Sequence, residues 1–117
     1  MGTNYYAVRN RPSLCEPIHI GKSSGGWLFL FQDQQDTWRD PPVVWHSYPE
    51  VLDWLKKYTI EQPDYVILNE YDQIIPFTTF VQMVERKQAD EHCLSNPDNF
   101  KYSKNVDGYR FSDGDFS

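Results

Sequence analysis

Runs of hydrophobic residues predict three strands in the first third of the chain. Residues 3–9 are rich in β-branched and aromatic side chains, as strands usually are. After a loop with two prolines, residues 18–22 and 26–32 predict two more strands, joined by a bend at residues 22–26. In the segment 26–32 both faces are apolar, which is typical of a strand covered on both sides and predicts that it is the central strand. The polar residues 33–42 that follow predict a loop.

Two later segments have the period of amphipathic helices. Ser47 and Glu50 have the spacing of a capping box, and residues 51–58 place their apolar side chains on one stripe. Residues 77–84 repeat apolar side chains at i, i+3, i+4 and i+7, which predicts a second helix. Between the helices, residues 65–77 predict a strand, a polar turn and a short return strand.

This order of elements predicts an α+β fold, in which a mainly antiparallel sheet carries two amphipathic helices on one face. A chain of 117 residues suits one core, so we expect a single domain over residues 1–117. Within it, residues 94–117 are rich in Ser, Asn, Asp and Lys and contain two Asp-Gly pairs. These features predict a polar, loosely held C-terminal hairpin or tail.

The charge of the chain and the length of its apolar runs argue against two classes of partner. The formal net charge is −6 and the pI is about 4.9, while the 11 basic residues are scattered along the chain. A nucleic-acid-binding protein needs clustered Lys and Arg to contact phosphates, so no nucleic-acid partner is expected. No apolar run approaches the roughly 18 residues of a membrane span, so no membrane partner is expected either. The acidic charge would instead steer the chain toward a basic protein surface.

The cysteines and the first residues bear on the cellular compartment. Two cysteines are too few for the disulfide framework of a small secreted protein. The beginning of the chain lacks the basic and apolar segments of a signal peptide. We therefore expect a cytoplasmic protein whose thiols are free.

The stretch IHIGKSSGGW, residues 18–27, invites comparison with a phosphate-binding loop. A Walker A loop requires a glycine five residues before its Gly-Lys pair, where this chain has Glu16. The loop must also lead into a helix, whereas a strand-like segment follows here. The pattern favours a glycine-rich bend between strands, and an anion nest formed by Lys22, Ser23, Ser24 and the Gly25 amide is the alternative.

Other residues that could carry chemistry form weaker patterns. The residues that could ligate zinc are Cys15, His19, His92 and Cys93. Adjacent residues such as His92 and Cys93 rarely reach one ion, and the chain has no CxxC pair, so we expect no metal and no cofactor. No nucleophile motif such as GxSxG is present. This favours a protein that is not an enzyme, although the sequence leaves that question open.

Aromatic residues make up 16% of the chain, more than a core of this size readily absorbs. Tyr and Trp are enriched at protein interfaces, so some of these rings are candidates for a contact surface. The alternative is that most of the rings cover the sheet and the helices.

Four stretches, GTNYY, IHIGKSSGGW, NEYDQIIPFTTF and GYRFSDGDFS, together resemble a group of small, mostly uncharacterised proteins of phages and prophages. Members of that group often carry a CxxC pair just before the HIGKS stretch, where this chain keeps only Cys15. The resemblance implies a small viral accessory protein and supplies no activity. If the shared motifs mark a site, its residues in this chain are Asn4, Tyr5, His19, Lys22, Ser23, Ser24, Trp27 and Glu70.

Two hypotheses follow from the sequence. The first is a non-enzymatic phage accessory protein that binds and modulates, for example inhibits, a protein in the host cytoplasm, including a host defence protein. The second is a protein that recognises a small ligand, nucleotide or phosphate through residues 18–27, with hydrolysis as a further option. The discriminating observation is whether His19, Lys22 and Ser23 converge with Glu70 in a concave pocket.

Overall fold

A computed structural model describes residues 2–10, 17–24, 28–38, 41–89, 103–106 and 109–112. Its strands are β1 (Gly2–Arg9), β2 (Ile18–Ser24), β3 (Leu30–Gln32), β4 (Gln34–Asp36), β5 (Val43–Trp45), β6 (Tyr65–Asn69), β7 (Ile74–Ile75), β8 (Ser103–Val106) and β9 (Tyr109–Ser112). Its helices are α1 (Tyr48–Lys56), which continues into a π-helical turn (Lys57–Glu61), and α2 (Phe77–Ala89).

Seven of the strands form one sheet in the order β7-β6-β1-β2-β3-β9-β8, and β4 pairs with β5 in a second, two-stranded sheet. Every pairing is antiparallel except that of β3 with β9. The predicted α+β fold with a mainly antiparallel sheet is therefore confirmed. The hairpin β8–β9 lies in the region for which a polar hairpin or tail was predicted, and Phe111 in β9 is fully buried.

Both helices pack on the same face of the large sheet. Val51 and Leu55 of α1 and Phe80 and Val84 of α2 lie in one buried cluster with side chains from the sheet. Those sheet residues are Ala7, Ile18, Ile20, Phe29, Phe31, Tyr65, Ile67 and Phe111. Half of the residues in this cluster are aromatic, and their rings meet at angles typical of aromatic pairs.

Helix α1 begins where the sequence predicts, but its first turn is held differently. Ser47 is the N-cap residue, and its hydroxyl donates to Glu50 Oε1 at 2.9 Å instead of accepting a backbone N–H. The backbone N–H of Val51 donates to the Ser47 carbonyl at 3.1 Å. The Ser-Glu pair of the predicted capping box thus forms a direct side-chain bond.

Three predictions about the strands need correction. The central position of the seven-stranded sheet belongs to β2, and the segment with two apolar faces, β3, lies next to it. The bend predicted for residues 22–26 does not include residues 22–24, because β2 runs through Ser24, and residues 25–26 lie outside the described part of the chain. The polar stretch 33–42 contains strand β4, which pairs with the apolar β5. Polar residues give no periodic signal when only their backbone takes part in a sheet.

A β-bulge in β2 decides which side chains reach which face. Tyr5 is opposite Gly21, but the next residue, Tyr6, is opposite His19, so Ile20 is the extra residue of β2. Ile20 is fully buried in the core cluster, and a Cβ on Gly21 would contact the buried Phe29 ring. Ile20 and Gly21 therefore both face the core.

Candidate functional site

The face of the sheet opposite the two helices, which we call the outer face, carries much of the predicted site. Tyr6 alternates with the core residue Ala7, and its ring lies 5.3 Å from the ring of its cross-strand partner His19. Beyond the bulge, Lys22 is opposite Asn4, so these two side chains share the outer face as well. The bulge thus brings His19 and Lys22 to one face although they are three residues apart.

Asn4, His19 and Glu70 are joined by hydrogen bonds. His19 Nε2 lies 2.9 Å from Asn4 Oδ1, within hydrogen-bond distance, and the backbone N–H of Asn4 donates to Glu70 Oε1 at 2.9 Å. Asn4 is itself buried. The carbonyl oxygen of His19 accepts from Gln34 Nε2 at 2.9 Å, which ties this cluster to the small sheet. Three of the residues singled out by the shared motifs therefore converge.

Glu70 belongs to the turn between β6 and β7, which a buried asparagine holds in place. Asn69 Oδ1 accepts from the backbone N–H groups of Tyr71 and Gln73 at 2.9 Å and 3.0 Å. Asn69 Nδ2 donates to Gln73 Oε1 at 2.7 Å. Asp72 in this turn has a φ of 60°, the left-handed conformation that Asp tolerates better than most residues. The turn therefore presents Glu70 and Asp72 in a defined geometry.

A groove of about 210 Å³ lies on the outer face beside this turn. Its described lining residues are Tyr6, Val8, Pro17, Leu68, Asn69, Glu70 and Asp72. We call it the outer-face groove. Its walls are mostly apolar or aromatic, and its charged groups are two carboxylates. An anionic ligand such as phosphate would be repelled by them, whereas a cation would be attracted.

A second groove, of about 290 Å³, lies at the edge of the sheet, between the π-helical turn, β6, β7 and the start of α2. Ile60 and Ile74 line this edge groove and are 51% and 67% exposed. Tyr71, in the turn that leads to Ile74, is also 67% exposed. Large apolar side chains are thus displayed together at this end of the sheet.

The remaining candidate residues are not all part of the outer-face cluster. Tyr5 faces the core, where its ring lies 5.8 Å from Phe29 and 5.7 Å from Phe80, and burial raises the pKa of its phenol. Ser23 and Ser24 are strand residues opposite Thr3 and Gly2. Four candidates lie outside the described residues, namely Trp27, Cys15, His92 and Cys93.

The extended backbone of β2 bears on the proposed anion nest. A nest needs a curled backbone whose successive N–H groups point to one centre. Residues 22–24 are instead strand residues paired with β1, and Lys22 also pairs with Leu30 of β3. Recognition of a ligand through Lys22 and Ser23 would therefore depend on their side chains.

The sequence did not predict a contact between His46 and Asp33. His46 Nδ1 lies 3.0 Å from Asp33 Oδ1, and the histidine side chain is partly exposed. His46 follows β5 and Asp33 lies between β3 and β4, so the pair links the small sheet to the large one. No short motif joins residues this far apart, and only the pairing of β4 with β5 would have revealed the contact.

Within the described ranges, no group of three or more His, Cys, Asp or Glu side chains could hold a metal ion. In the same part of the chain, no helix has the length and apolar character needed to span a membrane.

Comparison with known proteins returned no relative: no protein-family model, no curated protein and no solved structure matches the chain.

Proposed function

We propose that this chain is a non-enzymatic phage accessory protein that binds and modulates a protein in the cytoplasm of the host cell. The phage origin rests on the resemblance of the GTNYY and HIGKSS stretches to phage and prophage proteins. A host enzyme or defence complex is the class of partner suggested by analogy with other small acidic phage proteins.

The observation that carries the binding function is the group of exposed apolar side chains at the β7 edge of the sheet. Single exposed hydrophobic residues are common on protein surfaces, but grouped ones beside a groove are typical of interaction sites. Ile60 and Ile74 line the same groove, and Tyr71 lies in the turn that precedes Ile74. We call these three residues the edge patch. Burying them against a partner would remove apolar area from water and favour association.

Several other aromatic side chains lie in the core and not on the surface. Trp45, Trp54, Tyr48 and Tyr65 are all buried, so much of the aromatic excess covers the sheet and helices. Trp38 and Tyr71 differ from these rings, because 96% and 67% of their surfaces are exposed. The aromatic content alone therefore does not define an interface, and the edge patch is the more specific feature.

Affinity capture from a host lysate tests the proposal when it is combined with matched variants. We expect wild-type protein to retain a host protein at near-stoichiometric yield. The double variant Ile60→Ser with Ile74→Ser removes exposed apolar area without altering the core, and should lose that protein. Val44→Ser is the control, because Val44 is also apolar and exposed but lies on the two-stranded sheet.

The outcome that contradicts the proposal is equal recovery by the wild type and the double variant. Recovery of no host protein by the wild type counts against it as well. Circular dichroism of each variant must match the wild type, so that loss of capture reports the surface and not unfolding.

A second candidate is recognition of a small ligand, favoured by the convergence of Asn4, His19 and Glu70 beside a groove. A ligand present at 100 times its dissociation constant would raise the free energy of unfolding by about 2.7 kcal/mol. A thermal-shift screen of nucleotides and phosphates measures this directly. An unchanged midpoint with every compound would rule out recognition of a nucleotide or phosphate.

A further inference from the structure

The outer-face groove combines an apolar channel with two carboxylates, and no Lys, Arg or His is among its described lining residues. We infer that it receives a lysine or arginine side chain from the partner protein. This inference rests on the proposed function and names the chemistry of the contact. It goes beyond the edge patch, which supplies apolar area without selecting a partner by charge.

The walls of the groove suit the stem of a long basic side chain. Val8 is opposite Val66 and Tyr6 is opposite Leu68, so Val8, Tyr6 and Leu68 lead along β6 toward the turn that bears the carboxylates. Lys and Arg commonly lay their methylene groups on apolar surface and keep the charge at a polar end. The Tyr6 ring adds a face on which a cation can rest.

The size of the groove favours one side chain over a small molecule. Its volume of about 210 Å³ is below the roughly 300 Å³ at which sites for drug-sized ligands begin. A partner side chain also brings its own backbone, which can rest on the rim and on the adjacent edge patch. Ile74 of the edge patch is opposite Leu68 of the groove, so a partner at the groove can also contact Ile74.

One carboxylate of the groove, and the backbone that carries the other, are oriented before binding. Glu70 is oriented by the hydrogen bond from the Asn4 N–H, and Asp72 is held in its left-handed conformation by the turn that Asn69 organises. Groups that are already in place lose little conformational entropy when a partner binds. The net charge of −6 adds long-range attraction for a basic surface.

The test uses model compounds, so it does not require the partner to be identified. Protein labelled with ¹⁵N is titrated with Nα-acetyl-arginine methylamide, Nα-acetyl-lysine methylamide and the uncharged Nα-acetyl-norleucine methylamide. We expect saturable shifts at the amides of Tyr6, Leu68 and Glu70 with the two cations and much weaker shifts with norleucine. Added salt should weaken the cation binding, because the carboxylates are exposed.

Two double variants, each of which removes two negative charges, supply the test and its matched control. Glu70→Gln with Asp72→Asn keeps the side-chain shapes, the acceptor for the Asn4 N–H and a residue that tolerates positive φ. It should weaken cation binding about fivefold, the loss expected for two exposed ion pairs. Asp53→Asn with Glu61→Gln changes the net charge equally on exposed positions elsewhere and should change binding less than about twofold.

Absence of localised shifts, equal binding of norleucine, or unchanged binding by the Glu70/Asp72 variant would overturn the inference. Capture from host lysate separates this failure from failure of the proposed function. If the Ile60/Ile74 variant loses the host protein while the Glu70/Asp72 variant retains it fully, only the groove inference fails. If both variants retain it fully, the proposed function fails as well.

Discussion

Replacing Gly21 by alanine tests whether this glycine serves packing or an anion. A Cβ at Gly21 would lie 2.3 Å from the carbonyl oxygen of Leu30 and 2.4 Å from Cε1 of Phe29. Both distances are about 1 Å shorter than ordinary contact, which begins at 3.4 Å. Alanine therefore cannot fit unless strand β3 or the Phe29 ring moves.

Neither neighbour can move easily. The Leu30 carbonyl belongs to β3, which is paired with β2 at Gly21 and Lys22. The Phe29 ring lies 4.6 Å from Phe31 and 5.4 Å from Phe80 and is almost fully buried. We expect Gly21→Ala to cost about 3 kcal/mol, the upper end of the usual range for overpacking a core. For a chain of this length, that corresponds to a fall in Tm of roughly 12 °C.

Urea unfolding followed by circular dichroism measures this cost. Ser23→Ala, two residues along the same strand, adds no atom and should change stability by less than about 1 kcal/mol. Combining Gly21→Ala with Phe29→Leu removes the contact with the ring but leaves the one with the Leu30 oxygen, so little stability should return. A Gly21→Ala protein within about 0.5 kcal/mol of the wild type would refute the packing argument. Such a result would instead favour a ligand-binding role for the Gly-Lys pair.

Three further predictions concern stability at alkaline pH, strand β9 and the turn between β6 and β7. Burial, together with the nearby Glu85 carboxylate, raises the pKa of Tyr48 well above its usual 10.0. The stability that Tyr48 contributes is therefore complete below pH 10 and declines above it by up to about 1.4 kcal/mol per pH unit. Unfolding curves measured from pH 9 to 11 should show a smaller decline for Tyr48→Phe than for the wild type. Phe111→Ala should cost about 3–5 kcal/mol in urea unfolding, because Phe111 is fully buried and stacks on Phe31 at 5.0 Å, and a loss below about 1 kcal/mol would show that β9 contributes little. Asp72→Ala should cost about 1 kcal/mol while Asp72→Gly stays within about 0.5 kcal/mol, because the φ of 60° suits glycine, and equal costs would contradict this.

Local patterns were sufficient for the elements whose signals are contained in a few residues. Helix α1 could be located from its cap and its apolar stripe, and the hairpin β6–β7 from two apolar runs around a polar turn. Strand β4 has no such signal, since Gln34–Asp36 is polar and becomes a strand only by pairing with Val43–Trp45. Such a segment becomes a strand because it pairs with another strand, and the local sequence does not show which strand that is.

The shared motifs named Asn4, His19 and Glu70 but not their arrangement, and Glu70 alone of the described groove residues was among the candidates. Asn4 and Glu70 are 66 residues apart, and their hydrogen bond depends on β1 pairing with β6. The same pairing places Tyr6 beside Leu68 and so forms the outer-face groove. Pairing between strands this far apart in the chain cannot be predicted from the spacing of the motifs.

The bulge in β2 connects the stability of the fold with the chemistry of its outer face. In a strand without a bulge, side chains alternate strictly, so Lys22 would share the core-facing side of Ile18 and Ile20. The extra residue reverses this order, which brings Lys22 to the outer face beside Asn4 and keeps a lysine out of an aromatic core. The bulge requires that the residue next to Ile20 have no side chain, since β3 and the Phe29 ring occupy that space. The glycine of the Gly-Lys pair is therefore explained by packing, and the bulge that this glycine permits places the lysine on the outer face.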